Sequence, residues 1–106
     1  MTMLGTVAGA QGLKERFERA EKDLLASGTD SGHMNSIKLV AQLIARDKVC
    51  PPDDRTKGYL EFETRNQVNQ TGLARNVLVS RADQFVPMYV ELLNSDPAEK
   101  RIACMP

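Results

Sequence analysis

The sequence predicts a small all-α domain, and three observations predict it. Between Met34 and Val49 the polar residues Asn35, Lys38, Gln42 and Arg46 recur at helical spacing, and almost everything between them is apolar. From Gln11 to Ala26, Leu13, Phe17, Ala20 and Leu24 repeat at spacings of four, three and four, an a/d seam on a charged helix. Helix stop and start signals stand where such helices would end, at Gly28, at Cys50-Pro51-Pro52 and at Asp96-Pro97-Ala98-Glu99.

In chain order, residues 1–10 are rich in Gly, Ala and Thr and are expected to form a flexible arm. The helix from Gln11 follows, its surface carrying the acid-before-base pairs Glu15/Arg19 and Glu18/Lys22 at i,i+4. About two heptads are too short to stand alone, so the seam is expected to lie against the next helix or against a second copy, making it a candidate dimer seam. Ser27 to Gly32 is a turn in which Gly28 closes the first helix and Asp30 or Ser31 caps the next, giving an antiparallel hairpin. The second helix is apolar over well over half its circumference, more than the roughly 100° stripe that a single-layer core requires. It has to be covered on several sides, and in 106 residues part of that cover is expected from another polypeptide. Leu39 and Leu43 on this helix are accordingly candidate partner-binding residues.

Residues 53–70 are the least determined. Asp53 or Asp54 suits an N-cap, but Gly58 lies early, and Leu60, Phe62 and Thr64 alternate as on a strand. A lone strand would have no partner in this chain, so helix is expected. Gly72 to Glu91 returns to helical spacing, interrupted by Pro87. Either the helix is kinked there, or Asp83 caps a new helix with Pro87 in its first turn. Asp96, first-turn Pro97 and Glu99 announce a short terminal helix.

Composition bounds the function. One domain over 11–106 is the natural count, and with no Trp, two Tyr and three Phe its core is aliphatic. Fourteen basic and fourteen acidic residues cancel, so no net field draws the protein to nucleic acid or an anionic membrane. No stretch approaches the roughly 20 apolar residues of a membrane span, and no basic-then-apolar leader opens the chain, so a cytoplasmic protein is expected. Cys50 and Cys104 are too few for a disulfide scaffold or a zinc site. They read as cytosolic thiols, with a single bridge between them left open.

Four motifs need weighing. Asp30-Ser31-Gly32 is the triplet of dimeric aspartic proteases, but it follows a charged helix where that chemistry needs a buried strand, so it reads as a turn. Leu73 to Ala82 is similar to the centre of a helix-turn-helix, with Ser80, Arg81 and Gln84 as alternative DNA contacts. Leu78 stands there where the turn usually has Gly, and Pro87 falls inside the would-be recognition helix. His33, the one histidine, has no nucleophile or metal partner near it in sequence. Finally, Tyr59, Leu60 and Phe62 lie among Asp53, Asp54, Glu61 and Glu63, as contact residues do inside a polar rim. They are either partner-binding residues or core. No matched acid, base and nucleophile is present, so no enzyme and no cofactor are expected.

In its length, neutral charge and hairpin with a broad apolar helix, and in the segment Met34-Asn35-Ser36-Ile37-Lys38-Leu39-Val40-Ala41-Gln42-Leu43, the chain resembles the small quorum-sensing anti-activators of LuxR-type transcription regulators. That resemblance implies a mainly helical dimer that attaches to the regulator's ligand-binding domain and blocks its dimerisation, so that DNA binding fails indirectly. The expectation is therefore a non-enzymatic interaction module, homodimeric, whose protein partner is a transcription regulator. The alternatives are a small helix-turn-helix DNA-binding regulator and a helical secretion or assembly chaperone.

Overall fold

A computed structural model describes residues 2–105, with side chains from Gly12 onward. Six α-helices follow one another: α1 (Thr2–Ala26), α2 (Met34–Val49), α3 (Asp54–Thr71), α4 (Arg75–Ala82), α5 (Val86–Ser95) and α6 (Pro97–Ala103), with a 3-10 turn, Ser31–His33, ahead of α2. Among the described residues there is no strand. The all-α class read from the pattern is the observed one. The backbone of the expected arm enters α1 at Thr2, and its side chains lie outside the described residues.

The boundaries follow local chemistry. Gly28 and Gly72 take the left-handed conformation, φ 99° and 72°, that lets the chain leave α1 and α3. Asp53 accepts from the Arg55 N–H at 2.8 Å to open α3, and Asp96 accepts from the N–H groups of Ala98 and Glu99 to open α6. Cys50 is extended, and the Pro51-Pro52 pair after it keeps α2 from continuing. At Pro87 the chain breaks: α4 ends at Ala82, and Pro87 sits in the first turn of α5, where its missing donor is not needed. Asp83 does not cap α5. It closes α4, and Phe85 occupies the cap position without a side-chain bond.

Helix α2 is the hub. It packs against α3, α4 and α5, and Ile37, Val40, Ala41 and Ala45 on it are fully buried. They join Leu24, Leu78, Ala82, Phe85, Val86 and Met88 in one core. Burial of each large aliphatic is worth roughly 1.5–3 kcal/mol, which makes this cluster the main source of stability. Much of the cover that α2 requires comes from α3, α4 and α5 of the same chain, and of its thin polar stripe Asn35 and Gln42 are exposed while Lys38 and Arg46 are half-buried. Helix α1 makes its main helix contact with α5. Phe17 stacks on Phe85 at 6.1 Å and meets Tyr89 edge-on at 4.9 Å, Arg16 pairs with Glu91, and a Lys38–Glu21 ion pair ties α1 to α2. The expected dimer seam thus has an occupant in its own chain, since Leu24 is core and Leu13, Phe17 and Ala20 pack against that core.

A candidate interaction surface on α3 and α2

Helix α3 is turned inside out. Its three buried side chains are Thr56, Thr64 and Gln67, while Tyr59 and Phe62 are 48% and 59% exposed. Leu60 and Val68 are half-buried beside the buried polar residues. The polar face can lie on α2 because its hydroxyls are satisfied locally. Thr56 donates to the Asp53 carbonyl, Thr64 to that of Leu60 and Thr71 to that of Gln67, at 2.7–2.8 Å. Thr64, 2% exposed, therefore buries a methyl group at little polar cost. The outward face carries Arg55, Tyr59 and Phe62 at i, i+4 and i+7, a stripe with no covering helix.

The acids around this stripe are partly engaged. Asp53 caps α3, its carboxyl held below the usual carboxylate range chiefly by the hydrogen bond from the Arg55 N–H. Glu61 pairs with Arg75 at 2.5 Å, and Glu63 accepts from Asn66. Arg46 lies with its guanidinium 5.3 Å from the Tyr59 ring centroid, and its Nε is buried without a hydrogen-bond partner among the described residues. Arg46, Arg55, Thr56, Tyr59 and Met105 enclose an open cleft of about 390 Å3. On the other side of Arg46 a second cleft, about 420 Å3, runs between α2 and α5, lined by Gln42, Leu43, Tyr89, Leu92 and Leu93 and overhung by Glu99 and Ala103 of α6.

Of the five residues expected to bind a partner, Tyr59 and Phe62 are on the open face and Leu60 is half-buried. Leu39 is half-buried, whereas Leu43 is 7% exposed and lies under α6 at the second cleft.

The helix-turn-helix alignment is corrected. Residues Arg75–Ala82 form one uninterrupted helix, and Leu78, where the turn should fall, is in its middle and fully buried. Ser80 and Arg81 close that helix, and Gln84 lies in the turn before α5. Asp30 is a turn residue, accepting from the Gly32 N–H at 2.8 Å. His33 stands at the start of α2 with Nδ1 buried and unpartnered, and among the described residues no cluster of His, Cys, Asp and Glu could hold a metal. No described helix is long and apolar enough to cross a membrane.

The reading of two free thiols is also corrected, because Cys50 and Cys104 form a disulfide with Cα atoms 5.3 Å apart. A separation of 54 residues in sequence conceals this proximity. The one hint was that each cysteine stands at the end of an expected helix. No local pattern signals that Arg46 and Met105 line one cleft and Arg46, Tyr89, Leu92 and Leu93 another beside it.

The chain matches no protein-family model, no curated protein and no solved structure.

Proposed function

We propose that this protein is a non-enzymatic interaction module that binds another protein through the outward face of α3, and that the protein it restrains is a transcription regulator of LuxR type. The observation that carries the first part is the inverted helix, with Tyr59 and Phe62 outside and Thr56, Thr64 and Gln67 inside. Exposed aromatics on a rigid helix, rimmed by charge, have the composition of a binding hot spot.

The second part rests on the resemblance of the Met34 to Leu43 segment and of the whole chain to anti-activators. A regulator that must dimerise to bridge two half-sites loses most operator affinity when its dimer surface is capped, with no contact to DNA required. Such a partner also places the protein in the cytoplasm.

The test is sedimentation of this protein with the isolated ligand-binding domains of LuxR-type regulators. The reading expects a mixed complex at the expense of the regulator dimer. Phe62→Asp should abolish it without changing the far-ultraviolet helix signal. A regulator dimer that persists, or a Phe62→Asp variant that binds as well as the parent, overturns it.

A further inference from the structure

Helix α6 contributes no buried residue to the core, and it packs on α5 alone to any extent. Ile102 points to solvent, 63% exposed. Beyond that packing and its own cap at Asp96, what holds its far end is the bond from Cys104 to Cys50 at the end of α2. Ala103 lines the cleft between α2 and α5, Met105 lines the cleft at Tyr59, and Arg46 lines both. Removal of residues 103–105 would take a wall from each cleft and let the two run together as one groove past Arg46, from Tyr59 to Leu43 and Leu93.

We propose that α6 is a redox-latched cover: with the disulfide formed it spans this groove, leaving two separate clefts with Leu43 covered, and with the disulfide reduced it releases and exposes Leu43, Tyr89 and Leu93 beside the aromatic face of α3. The inference rests on the reading of that face as a binding surface, and names its regulation. A dithiol reductant supplies the two electrons. Its thiolate attacks Sγ of Cys104, the more exposed of the two, and the Sγ of Cys50 leaves as thiolate and takes up a proton. The second thiol of the reductant then displaces Cys104, so one protein disulfide becomes two thiols and the reductant becomes a disulfide. The core cluster includes neither cysteine and nothing from α6, so release leaves it intact. A reducing cytoplasm opens the groove, and oxidation closes it.

Hydroxyl-radical footprinting of the full chain, with and without a dithiol, tests the latch with no partner present. Hydrogen exchange of residues 98–105 is read alongside. Reduction should raise labelling of Leu43 and Leu93 several-fold and remove amide protection in α6, while Ile37, a core reporter, stays unlabelled and Phe62, already exposed, does not change. The double variant Cys50→Ser, Cys104→Ser should show the open pattern in both conditions. Unchanged labelling at Leu43 and Leu93 overturns the latch, and so does a parallel rise at Ile37, which would report unfolding. Partner binding is then measured on both forms. Footprints that open without any regulator binding leave the latch standing and overturn the partner instead, whereas equal binding by closed and open forms overturns the regulation.

Discussion

Two phenylalanines in this chain should respond to the same truncation in opposite measure. Phe85 is fully buried in the core against Phe17, and Phe85→Ala is expected to lose about 3–5 kcal/mol. Phe62 keeps 59% of its surface in water. Complete burial of such a side chain is worth roughly 1.5–3 kcal/mol, so the covered share is worth about 1 kcal/mol. Phe62 is also inside a helix, where alanine is the better former by about 0.5 kcal/mol, and this offsets part of the loss. The net expectation for Phe62→Ala is about 0.5 kcal/mol, a few degrees at most in melting temperature for a domain of this size. Urea unfolding of the oxidised protein, followed by far-ultraviolet circular dichroism with the m value checked for constancy, measures both. A Phe62→Ala loss above about 2 kcal/mol would place that ring in a core and refute the inverted orientation of α3, and with it the basis of the proposed surface.

Glycine replacements should divide by conformation. Gly72→Ala is expected to lose about 1–2 kcal/mol, all of it from the left-handed backbone, because a new Cβ there meets nothing. Gly58→Ala, within α3 and equally open, should gain up to about 1 kcal/mol; thermal melts of the two variants read the opposite signs. Asp53 has a folded pKa below its unfolded value, so its contribution is present above the ordinary carboxylate range and is lost as pH falls through the folded value. The Asp53→Asn variant should accordingly lose that part of the acid dependence, seen in melts between neutral pH and about pH 3, the region of carboxylate titration. Reducing the Cys50–Cys104 bond, which closes a loop across 54 residues, should lower the unfolding free energy by about 4 kcal/mol if chain entropy governs. Paired urea curves with and without reductant check it, and no shift would show that the bond constrains nothing.

Helix periodicity was legible wherever the buried face is apolar. The bounds Met34 to Val49 could be read because Ile37, Val40, Ala41 and Ala45 are both apolar and inside. Helix α3 resisted because its fully buried side chains are Thr56, Thr64 and Gln67, so the hydrophobic period that sequence reading follows is reduced on the packing side to the half-buried Leu60 and Val68. The strand-like alternation of Leu60, Phe62 and Thr64 arises from the same inversion, an exposed ring between a half-buried and a buried neighbour. The Leu13/Phe17/Ala20/Leu24 seam was legible as a seam, but periodicity cannot say whose surface fills it, and α5 of the same chain does. The disulfide was hidden for the corresponding reason, since the meeting of two helix ends is a property of the packing around α2 rather than of either local sequence.

The hydroxyl-lined contact between α3 and α2 also divides unequally what its loss would expose. The α3 side of that contact returns Thr56, Thr64 and Gln67 to water, and the two threonine hydroxyls keep their carbonyl partners for as long as the helix lasts. The hydrocarbon uncovered comes from the facing surface of α2, with Leu60 and Val68 of α3 adding a smaller share. The heat-capacity increment and the urea dependence of such a step therefore come chiefly from α2. Amide exchange in α3, which also requires the helix to unwind, is expected to depend on denaturant less steeply than exchange in α2, which waits for the whole domain.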